Sequence, residues 1–166
     1  VRPVAGIRAV VFGSGGAARA IAVELALAGA GHITIVNRTP TRARLLADLL
    51  RERAGVPAEA VTWDGPYRIP AEARLIVQAT SIGLFPDVQA CPAIDLDSLH
   101  RGQLVCDVIP NPPRTRLLGE AEARGCTTLD GLGMLVQQGV IGVKNWTGHE
   151  ADPEVMRRSL EAIFKP

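Results

Sequence analysis

The sequence predicts an α/β fold: a doubly wound sheet of about six mostly parallel strands with helices on both faces. Three observations carry that expectation. Short β-branched apolar runs alternate with helical stretches through the first third of the chain, as right-handed βαβ units do. Aromatics make up only 4% of residues against 47% hydrophobic, so Val, Ile, Leu and Ala must build the core. That composition suits a parallel sheet buried on both faces. A glycine cluster follows the first apolar run directly.

Residues 7–12 are a short β-branched run ending in glycines and read as a buried strand. Residues 17–28 are alanine-rich and apolar all round, with Gly29 and Gly31 to stop them, and read as a helix. A second strand is expected over 33–36. Thr39 and Pro40 then supply an N-cap and a first-turn proline for a helix reaching about Arg53. Weaker runs predict strands over 61–63 and 75–78, a loop over 85–92, and a fifth strand over 104–109 halted by Pro110, Pro112 and Pro113. Residues 115–124 should be helical up to Gly125, 127–129 a sixth strand, and 132–146 and 153–164 two closing helices. Neither an internal repeat nor a low-complexity linker interrupts the pattern, so residues 1–166 are expected to form one domain.

The charged residues, 21% of the chain, balance to +1, which gives no reason to expect nucleic acid or a membrane surface as partner. There is no charged leader with an apolar core, and no apolar run long enough to span a bilayer. Cys91, Cys106 and Cys126 are odd in number, far apart and without metal-ligand spacing, which fits idle thiols in a reducing compartment. The cytoplasm is the expected location. His32, His100 and His149 fall in loops or junctions and read as scattered surface residues.

Gly13-Ser14-Gly15-Gly16-Ala17-Ala18 matches GxGxxA between a strand and a helix. Gly13 permits the tight turn, Gly15 lets the backbone approach a pyrophosphate, and Ala18 lets the helix pack closely on the sheet. The N–H groups and dipole at the helix start favour an anion. The strand–turn–helix context makes this a Rossmann-type dinucleotide loop rather than a bare glycine turn. An NAD site usually carries Asp or Glu at the end of the second strand to hold the ribose 2′-OH. Here stand Asn37, Arg38 and Thr39, with Arg42 one helical turn further on. Without a carboxylate, two guanidiniums and a hydroxyl can receive a 2′-phosphate, so NADP is expected over NAD. The same residues argue against a methyltransferase, whose nucleoside ribose would want an acid near position 37. Arg44 and Arg51 read as solvated helix residues.

In order and spacing, Gly13-Ser-Gly-Gly-Ala-Ala, Asn37-Arg-Thr, Ala79-Thr-Ser, Asp107-Val-Ile-x-Asn-Pro and Gly131-Leu-Gly-Met-Leu-Val-x-Gln resemble the shikimate dehydrogenase family over essentially the whole chain. The first three motifs are shared with other NADP enzymes such as glutamyl-tRNA reductase; the last is the most specific. The resemblance implies reversible hydride transfer between NADPH and 3-dehydroshikimate in aromatic amino-acid biosynthesis. It implies that Gly13, Ser14, Gly15, Gly16 and Ala17 cradle the diphosphate, while Asn37, Arg38, Thr39 and Arg42 hold the 2′-phosphate end. Thr80 and Ser81 would line the cofactor cleft, Ile109, Gly131 and Met134 would approach the nicotinamide, and Gln138 would reach the substrate. The residues themselves put Leu132, Leu135, Val136, Gly139, Val140 and Val143 on one helical stripe that should face the sheet, with Met134 and Gln138 on another face. Asp107 reads as a structural cap, and no catalytic residue is assigned within the chain.

Two departures qualify the resemblance. The family usually has a substrate-contacting tyrosine where Pro110 stands, which opens quinate, an aminated shikimate analogue or another substrate. The family's catalytic Lys–Asp pair lies in an N-terminal domain ahead of the first strand, whereas the only lysines here are Lys144 and Lys165. The chain is therefore expected to bind cofactor yet not turn over substrate unaided, its partner being that domain together with the small-molecule substrate. A homodimer is left open. The competing reading is a non-catalytic NADP-binding module.

Overall fold

The computed structural model describes residues 4–164. The β-branched runs form strands and the alanine- and leucine-rich stretches form helices. Among the described residues the order is β1 (Arg8–Phe12), α1 (Gly16–Leu27), β2 (His32–Asn37), α2 (Pro40–Ala54), β3 (Ala58–Thr62), β4 (Tyr67–Arg68), β5 (Ala73–Gln78) and β6 (Ile94–Asp95). A 3-10 turn (Leu96–Ser98), β7 (Leu104–Asp107), α3 (Arg116–Ala123), β8 (Thr127–Leu129), α4 (Leu132–Thr147) and α5 (Pro153–Ile163) complete it. The main sheet has the order β3-β2-β1-β5-β7-β8, and every pairing in it is parallel. This is the doubly wound order expected of the sequence, with its switch point between β1 and β5.

Alternation along the strands sorts the core into two layers. Ala9, Val11, Ile33 and Ile35 meet Ala18 and Ala22 of α1 and Ala43, Ala47 and Leu50 of α2 on one face. Val10, Phe12, Val36 and Val105 meet Leu117, Leu118 and Ala121 of α3 and the loop residues Trp63, Ile69 and Leu99 on the other. Small residues in α1 bring its axis close to the sheet; Ala18 and Ala22 are fully buried. The few aromatics gather in one place: Phe12 lies 5.1 Å from Trp63 and 5.7 Å from Tyr67, centroid to centroid. The Trp63 indole donates to the Ala93 carbonyl at 2.9 Å.

Three features differ from expectation. β3 begins at Ala58 rather than Val61, because its register is fixed by pairing with β2 from Ile33↔Ala58 onwards and not by its own Ala-Glu-Ala start. The pair β4–β6 was not expected at all, and its two-residue strands meet only through the tertiary fold. The apolar stripe of α4 does not lie wholly on the sheet. Leu132 and Val136 are buried, but Leu135, Gly139, Val140 and Val143 are half-buried, and α5 returns against α4 as its packing partner. A Cβ on Gly139 would stand 3.4 Å from the Met156 sulfur of α5, and Arg157 donates to Asp130 at 2.8 Å.

On the α1 side, the β7–β8 half of the sheet is left open as a groove of about 410 Å³. Ile21, Leu25, Leu104, Cys106, Leu129 and Met134 are among its lining residues. All three thiols are free. Among the described residues no helix is long and apolar enough to cross a membrane, and no His, Cys, Asp and Glu cluster could hold a metal ion.

Candidate functional site

The glycine turn leaves β1 at the switch point. Gly13 has φ +107°, and a Cβ there would stand 2.8 Å from the Ala79 carbonyl oxygen, so the fold itself demands glycine. Its N–H donates to the Val36 carbonyl at 2.8 Å, which seats the turn between β2 and β5. Gly15 and Gly16 are different. A Cβ on either would meet nothing within 4 Å, so the protein's own packing asks for neither. Their bare backbone faces open space at the start of α1, where no side chain caps the helix and no acid occupies the first turn. That is the geometry of an anion cradle, with unshared N–H groups and the positive end of the helix dipole directed outward. Ser14 Oγ is cut off from solvent and has no hydrogen-bond partner, an orphaned hydroxyl in the same turn. The residues present therefore fit a dinucleotide diphosphate.

At the end of β2, the Asn37 side chain donates to the Thr39 carbonyl at 3.0 Å and folds the turn into α2. Thr39 occupies the N-cap position, yet its hydroxyl makes no capping bond, contrary to the expected role. The hydroxyl is thus uncommitted to the helix. Arg38 and Arg42 are exposed, and among the described residues neither side chain has a hydrogen bond or ion pair. Arg51 is exposed, as expected of a solvated helix residue, and it also pairs with Asp48 and donates to the Ala58 carbonyl at 2.6 Å, tying α2 to β3.

The loop after β5 is shaped by a residue that sequence reasoning passed over. Gln78 is fully buried; its side chain accepts from Thr80 N at 2.7 Å and donates to the carbonyls of Thr80 and Ile82 at 3.3 and 3.1 Å. Thr80 is thereby held beside the glycine turn, its methyl 3.2 Å from where a Cβ on Gly13 would sit, and Ser81 is exposed next to it. A polar residue ending an otherwise apolar Leu-Ile-Val run was the available signal.

After β7, Asp107 accepts from Ile109 N at 3.1 Å and from the Thr115 hydroxyl at 2.8 Å, the capping role expected of it. Burial pushes its carboxyl up to about 6, against these two hydrogen bonds that favour ionisation. The bonded turn fixes Ile109, whose carbonyl oxygen would lie 2.6 Å from a Cβ on Gly131. Gly131 is thus a close approach between the β7 loop and the start of α4. Met134 lies near it on the open groove, while Gln138, one turn further, is exposed. The fold thus brings Gly13 together with Thr80, and Gly131 together with Ile109. His149 is exposed as expected, but His32 and His100 are half-buried, the ring nitrogens of His100 lying 2.9 and 3.2 Å from the Arg101 and Ala71 carbonyls.

A parallel sheet in this strand order, with a glycine turn opening at its switch point onto a helix N-terminus, defines a dinucleotide-binding-type α/β domain. The family model described as "Shikimate / quinate 5-dehydrogenase" matches residues 2–83, and that described as "Shikimate 5'-dehydrogenase C-terminal domain" matches residues 131–161. The chain belongs to the shikimate dehydrogenase family. It is 46% identical over 157 residues to the shikimate dehydrogenase (NADP(+)) of Methanopyrus kandleri, covering 93% of this chain and 54% of that protein. Among solved structures it is similar to the ligand-free 5-ketofructose reductase of Gluconobacter sp. strain CHM43, with 53% identity, a TM-score of 0.90, and coverage of 99% of this chain and 59% of that one. A shikimate dehydrogenase solved in complex with NADP+ matches with 34% identity and a TM-score of 0.85, covering 98% of this chain and 56% of the other. The chain spans a little over half the length of these relatives.

Proposed function

We propose that this chain is the NADP(H)-binding half of an oxidoreductase that reversibly reduces 3-dehydroshikimate to shikimate. The carrying observation is the carboxylate-free, cationic end of β2 beside a glycine turn whose outer face no protein atom fills. A bound reduced nicotinamide supplies the hydride for such a reaction. The chain's own residues bind and orient: Gly13, Ser14, Gly15, Gly16 and Ala17 at the diphosphate, and Asn37, Arg38, Thr39 and Arg42 at the phosphorylated ribose. Thr80, Ser81, Ile109, Gly131 and Met134 border the nicotinamide end, and Gln138 serves the substrate. The relative solved with NADP+ supports the cofactor.

Reducing a ketone also needs a proton donor near its oxygen. Lys144 is exposed and paired with Glu150 at 2.6 Å, away from any such duty, and Lys165 lies outside the described residues. The acid–base pair is therefore assigned to a complementary half of the kind the longer relatives carry. In a titration, residues 1–166 should bind NADPH, and Arg38→Ala should weaken that about ten- to a hundred-fold through loss of a charge-assisted bond, with NADH changed much less. The chain alone should not oxidise NADPH with 3-dehydroshikimate; robust turnover would overturn the division of labour.

A second reading concerns the substrate. Identity to the 5-ketofructose reductase exceeds that to the shikimate dehydrogenase of Methanopyrus kandleri, and Pro110 replaces the tyrosine that the resemblance expects at the substrate. The first favours a ketone such as 5-ketofructose, and the second leaves the substrate contact open to it. Side-by-side assays of the two ketones, with the complementary half present, decide between them.

A further inference from the structure

We propose that Arg19, in the first turn of α1, is a third cationic ligand for the ribose 2′-phosphate beside Arg38 and Arg42, acting across the cleft from Arg42 and fixing the preference for the phosphorylated cofactor. The inference rests on the NADP(H) reading above. Between the starts of α1 and α2 lies a cavity of about 450 Å³ lined by Ser14, Gly15, Gly16, Arg19 and Arg42, over a bed that includes Leu46. No carboxylate lines it. Several arginines elsewhere are engaged: Arg8, Arg68, Arg114, Arg124 and Arg157 each pair with an acid. The Arg19 and Arg42 side chains have neither an ion pair nor a hydrogen bond among the described residues. Two uncompensated guanidiniums bordering one cavity repel each other, and a dianion between them removes that repulsion.

The chain's local geometry aims Arg19 there. Its N–H donates to the Gly15 carbonyl at 2.9 Å, so it sits one turn into α1. Helical side chains lean toward the N-terminus, which directs this one back over the glycine turn. The leucine bed suits the methylene stem of an arginine while the head stays at the opening. A phosphomonoester carries close to two negative charges at neutral pH, and paired forked guanidiniums are a matching donor set.

The test is calorimetric titration of the chain with NADPH and NADH, using wild type, Arg19→Ala, Arg19→Lys and Arg42→Ala, with thermal unfolding to verify folding. Arg19→Ala should weaken NADPH about ten- to a hundred-fold and NADH less than about three-fold, with the lysine variant between. Equal losses for both cofactors would make Arg19 a diphosphate ligand and overturn the inference, as would no loss at all. If Arg42→Ala shows the NADPH-selective loss and Arg19→Ala does not, the cofactor reading survives and the inference fails. A wild-type chain without preference for NADPH overturns both.

Discussion

Asp107 sits fully inside the protein at the end of β7, and its two hydrogen bonds pin the turn that carries Ile109 and Pro110. The ordinary value of 3.8 rises to about 6 because burial penalises the charge. Between those values the folded chain holds a proton that the unfolded chain has released, so folding stability falls as pH rises through this window and levels off above it. The loss amounts to about 2–3 kcal/mol at most. Asp107→Asn cannot ionise and should lack this component. Melting temperatures from pH 4 to 7.5 should therefore fall for wild type relative to the asparagine variant. Parallel curves would mean the carboxyl is already ionised throughout. The cap was legible in the sequence because an acid ending an apolar strand needs a local donor; Gln78 stood out only as a polar end to an apolar run, since its three bonds exist only once the loop has folded back.

Among the elements, the first turn of α1 separates what the fold needs from what a ligand needs. Gly13 cannot be replaced without meeting Ala79, whereas a methyl on Gly16 would touch no protein atom. Gly16→Ala should leave stability unchanged or raise it by up to about 1 kcal/mol, since alanine is the better helix former. NADPH affinity should drop sharply in the same variant, because the added methyl occupies the approach to the backbone. Loss of stability with cofactor binding intact would reverse the assignment. The elements β1, α1, β2 and α2 were readable because periodicity, glycine stops and the Thr39-Pro40 start are local signals. β3 was misjudged by three residues because Ala and Glu carry little strand propensity, and β4–β6 were invisible because Tyr67 N finds its acceptor at Ala93, far along the chain. In the same way the arginines at the end of β2 announced themselves by position, while Arg19 gained meaning only when α1 and α2 were set side by side.

For the molecule as a whole, the two faces of the sheet are unequally clothed. α3 and the corner formed by the parallel β4–β6 pair close one side over β5 and β7, while on the other α1 and α2 stop short and leave Leu104, Cys106 and Leu129 beside an open groove. Composition alone argued for a sheet buried on both faces, and the stripe of α4 was assigned to that duty. Instead that stripe meets α5, because the turn at Gly148 returns the chain onto α4.

The scarcity of aromatic side chains has a practical corollary. Only two indoles exist, and they occupy opposite optical environments: Trp63 is 7% exposed against Phe12 with its N–H bonded, whereas Trp146 is 85% exposed on α4. Excited together, they should emit as a blue-shifted and a red-shifted component, and acrylamide should extinguish the second far faster than the first. The surviving emission is an inbuilt, label-free gauge of the packing beside β1. Identical quenching of both components would mean that the aromatic corner is open to water.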